Sequence, residues 1–340
     1  MRIPSFVRRF LDSNATRVSN PRGKVLRLLG ALALLLVALL LGYSELFGPP
    51  HRDDQELFEF IVTPEAAEGD IAAFLEEAGI VRHAVAFRIA NTGAERGVVR
   101  PGGYRISLSQ DAWTVADTLS KAPYLAWVTI PEGYRKEQIA EMLSETLAWS
   151  PEEVALWSAA SSGGLREGFY FPDTYLIPSD QTPEQITERF RGRFEDAYAP
   201  YAAEAAELGM DWTEVVTLAS LIEREAAKND KELVAGILLN RLERGMLLQV
   251  DATLQYIRGA PGKWWPVPRS QDKYLESPFN TYRHVGLPPQ PIANPSLNSI
   301  VAVLRADETS CLYYLHDAKG RIHCSPNYQG HVDNINIYLR

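Results

Sequence analysis

Cysteine is scarce in this chain: two residues in 340, Cys311 and Cys324. Histidine is scarce too, with six in all. His316, His323 and His331 lie near the cysteines, but not at the CxxC or HExxH spacing of a zinc site. The chain has no G-x-S-x-G elbow for a nucleophilic serine and no Walker-type loop for a nucleotide phosphate. No metal and no cofactor are expected. Basic residues are outnumbered by acidic ones after residue 27. Seven basic residues before that point face one acid, Asp12, a net of about +6; the whole chain is −9, so the remainder carries about −15. So acidic a body excludes a phosphate-backbone partner, and no nucleic-acid function is expected.

What is present begins with a long apolar run. Leu28–Ser44, LLGALALLLVALLLGYS, carries no charge, and roughly 17 to 25 such residues cross a bilayer as a helix. The basic tail before it would stay in the cytoplasm. The chain after about Glu45 would then work outside. A cleaved signal peptide is the alternative, although the leading segment is long and no clear A-x-A site follows. In an oxidising compartment Cys311 and Cys324 could pair. They flank LYYLHDAKGRIH, which reads as a hairpin turning at Asp317–Gly320. Two unpaired core cysteines are the alternative.

The parts follow in order: a cytoplasmic tail at 1–27, a transmembrane helix at 28–46, a proline-bearing linker at 47–56, a small α+β unit at 57–123 and a larger, mainly helical region at 124–340. In the small unit LFEFIVT and GGYRISL read as strands. Helices open at Asp70 and Asp111, and VRHAVAFRIAN suggests another. FIVTPEAAEGDIAAFL and WVTIPEGYRKEQIAEML share the order strand, Pro-Glu, helix, a faint echo between the two regions. In the larger one EGFYFPDTYLIPSD reads as irregular. Helices are expected near Pro151–Ala159, after Thr182 and Asp211, from a cap at Asp230 to Gly245, and at about Ser296–Leu304, with the hairpin last.

One helix poses a chemical question. LASLIEREAAKND (Leu218–Asp230) is apolar until Glu223 and Glu225 arrive. At 100° per residue Val215, Leu218, Leu221 and Ile222 share one side. Glu225 falls on the edge of that face and Glu223 nearer to water, with Arg224 and Lys228 outward. A carboxyl group beside apolar side chains has a raised pKa, which suits a general acid near neutral pH. Glu225 is therefore the better candidate, though glutamates at helix ends more often only pair with Lys or Arg. Two polar segments accompany it. LLQVDATLQYIRG brings Gln249, Asp251, Thr253, Gln255 and Tyr256. SPFNTYRHVGLPPQPIANPS is a long proline-locked loop carrying Asn280, Thr281, Tyr282 and Asn294. Amides, hydroxyls and aromatic faces are what a sugar groove needs.

Four stretches together, LASLIERE, ILLNRLERGMLLQVDATLQY, FNTYRHVGLPPQPIANPS and GFYFPDTYLIP, resemble the endolytic murein transglycosylases of the YceG-like family. The likeness covers nearly the whole chain after Leu28. It implies an α+β fold with one membrane helix, a LysM-like subdomain and a mixed, mainly helical catalytic domain ending in a hairpin. It implies a peptidoglycan lyase that cuts the β-1,4 bond between N-acetylmuramic acid and N-acetylglucosamine in nascent strands and leaves 1,6-anhydromuramoyl ends. It also implies a membrane-bound terminase beside peptidoglycan synthases. The matching position makes Glu225 the acid. Asp251 would orient the sugar or stabilise positive charge, with Gln249, Thr253, Tyr256, Asn280 and Tyr282 lining the groove. GRIHCSP and GHVDN depart from the family's C-terminal pattern, which leaves His323 and His331 without an assigned role. Two alternatives stay open: a two-carboxylate hydrolase using Glu225 and Asp251, and a membrane-anchored binding scaffold in which Glu225 is structural.

Overall fold

A computed structural model of the chain describes residues 21–92, 97–158, 166–227 and 229–339. The tail before residue 21, Lys228, and the end expected for the helix near Ala159 lie outside them. The chain divides into two compact units, Met1–Pro123 and Tyr124–Arg340.

The first unit opens with α1 (Pro21–Phe47). It starts earlier than the expected span, and Val25–Phe47 is long and apolar enough to cross a membrane, with a mean hydropathy of 2.6. Next come β1 (Phe58–Val62), α2 (Pro64–Glu68), α3 (Ile71–Glu77), α4 (Ala84–Ala90), β2 (Gly102–Ile106) and α5 (Ala112–Ser120). Thr63, Asp70 and Asp111 each accept a backbone N–H in the first turn of the helix that follows, so the caps fall where their side chains allow. The strands β1 and β2 pair antiparallel, Phe60 opposite Tyr104. Their inner residues pack with Leu75, Phe87, Val115 and Leu119 into one core.

The second unit holds β3 (Leu125–Thr129), α6 (Lys136–Leu147), α7 (Pro151–Ser158), β4 (Thr174–Pro178), α8 (Pro183–Tyr198), a 3-10 turn and α9 (Ala202–Glu207). It continues with α10 (Trp212–Glu225), α11 (Lys231–Glu243), α12 (Asp251–Arg258), α13 (Leu297–Leu304), β5 (Tyr313–His316), β6 (Ile322–Ser325) and α14 (Tyr328–Tyr338). The segment read as irregular contains β4. Its alternating residues Tyr175 and Ile177 are buried, and it pairs antiparallel with β3. Pro178 at its end and Pro172 two residues before its start hide this strand from a sequence pattern.

Two cores fill the unit. One gathers Val128, Ile130, Ile139 and Leu143 around the aromatic cluster Trp157, Tyr170 and Phe190. The other is built on α10, whose Val215, Leu218, Leu221 and Ile222 are wholly buried with Ile292 and Ile300. Each such side chain contributes about 2 kcal/mol relative to exposure. Gly168 lies between two elements of this core. A Cβ there would meet Pro291 at 2.6 Å and Val216 at 2.8 Å, and its φ is +94°. Only glycine meets both conditions.

Cys311 and Cys324 are joined in a disulfide that ties the chain before β5 to β6. The bridge closes a loop of 13 residues' separation, and a loop near this size stabilises by about 3 kcal/mol. Reduction, or Cys311→Ser with Cys324→Ser, is expected to lower urea-unfolding stability by that amount. Identical curves with and without reductant would refute it.

Candidate active site

The helix α10 begins with a reciprocal capping box, Asp211 and Glu214 each accepting the other's backbone N–H at 2.9 Å. It stops at Glu225 because Ala226 turns to extended backbone, φ −83°, ψ 149°. Its last three residues meet three different environments.

Glu223 is a buried anion, not the water-facing group that the helix wheel suggests. Its Oε2 accepts hydrogen bonds from the Ser296 backbone N–H at 3.0 Å and from the hydroxyls of Ser296 and Ser299. Lys231 Nζ lies 3.1 Å away, and both side chains are only about a tenth exposed. Burial opposes the charge, but the two serines and the lysine outweigh it and hold Glu223 below the usual carboxylate range. Glu223 therefore locks α10 to the start of α13. Its replacement by Ala strands a buried ammonium and two hydroxyls. The expected loss is about 3 kcal/mol or more, read as a fall in melting temperature; an unchanged melt would refute this role.

Glu225 differs. Neither open nor fully buried, it accepts the Ala252 backbone N–H at 3.2 Å. It thus serves as the missing cap of α12, whose N-cap residue, Val250, has no side chain to offer. Burial pushes the Glu225 carboxyl up and the neighbouring Asp251 charge adds to the rise; the backbone N–H groups of Ala252 and Asp251, and His316, pull back without cancelling it. The result is an acid that holds its proton above the ordinary range, facing a helix N-terminus that favours the anion once the proton has left.

The two loops around it are fastened together. Thr281 accepts the Gln249 N–H on its carbonyl at 3.1 Å and the Val250 N–H on its hydroxyl oxygen at 3.0 Å. Thr253 bonds the Val250 carbonyl and the Thr281 hydroxyl. From α11, Arg241 donates to the carbonyls of Leu247, Leu248 and Leu312, and Asn240 to those of Thr309 and Cys311. The N-R pair of the sequence motif thus clamps both the Gln249 loop and the approach to β5.

Of the six residues expected to line a groove, four reach solvent. Gln249 is exposed and held at φ +52°, a left-handed conformation costly for a non-glycine residue and concentrated at functional sites. Asp251 is exposed and accepts the Tyr282 hydroxyl at 2.6 Å. Tyr282 is half-buried, and Tyr256 is half-buried against Phe279 and the Arg135 guanidinium. Thr253 and Asn280 are instead wholly buried. Asn280 donates to the carbonyls of Lys273 and Leu275 and accepts the Tyr282 N–H. Both are loop fasteners, because a short polar side chain with two or three internal partners has nothing left for a sugar.

Other groups near the site were not read from the sequence. Tyr314 senses the Glu225 charge. His316 Nε2 lies 2.9 Å from Asp230 Oδ2, which diverts the carboxylate expected to cap α11. Arg224 lies over Trp265 rather than pointing outward. Behind them sits Glu167, 1 % exposed, accepting the Lys136 N–H and the Asn294 side chain. His323 bonds Asp317 and stacks on Tyr338, while His331 stacks on Tyr313. Among the described residues no group of three or more His, Cys, Asp or Glu is placed to hold a metal.

The YceG-like family model matches residues 60–337, a range that contains both glutamates of α10 and the loops around them. The chain belongs to the YceG-like family. Known members of similar sequence bear the name endolytic murein transglycosylase. One from Streptococcus pneumoniae serotype 2 is 27 % identical, across 93 % of this chain and 65 % of the relative. One from Bacillus subtilis is 25 % identical, across 84 % of this chain and 87 % of the relative. The chain thus spans about two-thirds of the pneumococcal relative's length (65 %). The crystal structure of a YceG-like protein from Listeria monocytogenes superposes with a TM-score of 0.54 at 26 % identity, covering 82 % of this chain and 99 % of that one.

Proposed function

We propose that the chain is an endolytic peptidoglycan lytic transglycosylase with Glu225 as its single acid–base. The observation that carries this reading is the contrast within α10. Glu223 is held as an anion by two serines and a lysine, whereas Glu225 is pushed up by burial and faces the N-terminus of α12. Family membership and the names of the relatives supply the substrate class.

Protonated Glu225 gives its proton to the glycosidic oxygen between N-acetylmuramic acid and N-acetylglucosamine. The C1–O bond breaks, and its electron pair leaves with that oxygen. The muramoyl C6 oxygen then closes on C1, and its proton returns to the Glu225 carboxylate. No water is consumed. Asp251, whose carboxylate accepts the Tyr282 hydroxyl, offsets the oxocarbenium-like charge. Gln249 and Tyr256 complete the wall, while Thr253 and Asn280 act through the loops they fasten. The helix α1 anchors the chain in the bacterial inner membrane, with the N-terminus inside and the chain after about Glu45 outside. The first unit, with strands flanking helices, serves as a LysM-like module, and synthases that extend glycan strands are the expected neighbours.

Cleavage in heavy-oxygen water tests the reaction type. Closure by the C6 hydroxyl leaves anhydromuramoyl ends with no solvent oxygen. Reducing ends carrying the label would assign a hydrolase instead.

A further inference from the structure

Arg224 separates the two glutamates and shares neither of their arrangements. Its guanidinium carbon lies over Trp265, 4.0 Å from the ring centroid. Trp265 is itself fixed, its indole N–H donating to Gln138 at 3.1 Å. Gly133 passes close by, so that even a Cβ there would stand 3.3 Å from Arg224 Nη1. The arginine is therefore seated between a rigid ring and a backbone turn, half-buried. Yet among the described residues it makes no ion pair or hydrogen bond, and its Nε is buried without a partner. The acids whose charge it feels are Glu223, engaged by Ser296, Ser299 and Lys231, and Glu225, which bonds α12.

A half-buried guanidinium is costly without an anion. A planar, preorganised guanidinium is also the group best suited to take a carboxylate through two hydrogen bonds. We propose that Arg224, seated on Trp265, is the anion-recognising residue of the groove and takes a carboxylate borne by the glycan strand. This rests on the glycan reading above and extends it: cleavage would be restricted to strands whose sugars carry an acidic substituent. Two sources offer that chemistry, the carboxylates of a peptide stem and the lactyl carboxylate of a muramoyl residue whose stem has been removed.

The test uses the full chain in detergent with Glu225→Gln, so that binding is read without cleavage. The probes are uncrosslinked stem-bearing strands, amidase-stripped strands and neutral chito-oligosaccharides. Adding Arg224→Gln is expected to weaken binding of an acidic strand about tenfold and to flatten its salt dependence, while Arg224→Lys recovers part of the affinity. Chito-oligosaccharide binding is expected to stay unchanged. Loss on stem-bearing strands alone assigns the stem carboxylate; loss on stripped strands alone assigns the lactyl group. With Glu225 restored, Arg224→Gln should raise KM more than it lowers kcat. Acidic-strand binding indifferent to Arg224, or equal loss on the neutral sugar, overturns the proposal. Failure of the chain with Arg224 intact to bind any strand overturns the glycan reading itself, and this proposal with it.

Discussion

Glu225→Gln is expected to lower kcat for glycan cleavage by about a thousandfold, the middle of the range for removing a general acid, while the protein stays folded. The amide keeps a carbonyl oxygen for the Ala252 N–H, so α12 keeps its cap and the groove its shape. Only the proton is lost. The same geometry fixes a pH dependence. The acid must be protonated to begin, so kcat of the wild type falls as pH rises through the elevated Glu225 value. Stability moves in the same direction. The folded pKa lies above the unfolded one, so the contribution of this group is complete below the ordinary carboxylate value and is lost as pH rises through the folded value. Glu225→Gln should therefore melt higher than wild type on the alkaline side, as expected where a site keeps a group that chemistry needs and folding disfavours. A variant that melts lower at every pH would show that the carboxylate is a structural cap only.

The second large effect belongs to Glu167. Burial pushes its carboxyl up to about 8 from an ordinary 4.5, the Glu137 charge adds to the rise, and the Lys136 N–H and Arg135 only moderate it. Both oxygens take the Lys136 N–H, and Asn294 bonds Oε1 while also donating to the Tyr134 carbonyl and accepting the Tyr170 N–H. One neutral acid thus holds the entry to α6, the aromatic core and the proline-rich loop. The unfolded chain ionises near 4.5 and the folded one near 8. Stability from this group is present below 4.5 and falls between the two values by on the order of 4 to 5 kcal/mol. Glu167→Gln, which preserves an acceptor and cannot ionise, should remove most of that slope. Thermal melts from pH 4 to pH 9 decide the matter, and parallel curves for the two proteins would refute the assignment.

The contrast between these acids explains how much of the site was legible. The stripe of Val215, Leu218, Leu221 and Ile222 marks a helix with one dry face, and Glu225 stands on its edge in both sequence and structure. Glu223 could not be read correctly, because the groups that hold it, Ser296 and Ser299, lie more than seventy residues away. The same is true of Arg224, whose plate, Trp265, comes from a loop after α12. Thr253 and Asn280 show the reverse error. Their residue types suit a sugar, but only tertiary contacts reveal that their hydrogen-bonding capacity is already used. Glu167 precedes a motif that the sequence did display, yet its burial depends on the start of α6, 31 residues earlier, and on Asn294, 127 residues later. The caps at Asp70, Asp111, Thr182 and Asp211 were legible because each bonds its own helix. The cap expected at Asp230 failed because His316 claims that carboxylate. The last helix, α14, was missed because none of its side chains is buried to mark a face.

The most direct measurement places the two glutamates side by side. Purified glycan strands are digested with wild type, Glu223→Gln and Glu225→Gln at matched folded concentration, and the new ends are counted by mass spectrometry. Anhydromuramoyl ends from wild type and from Glu223→Gln, with none from Glu225→Gln, are the expected result. Cleavage by Glu225→Gln, or a folded Glu223→Gln that is the silent one, would contradict it.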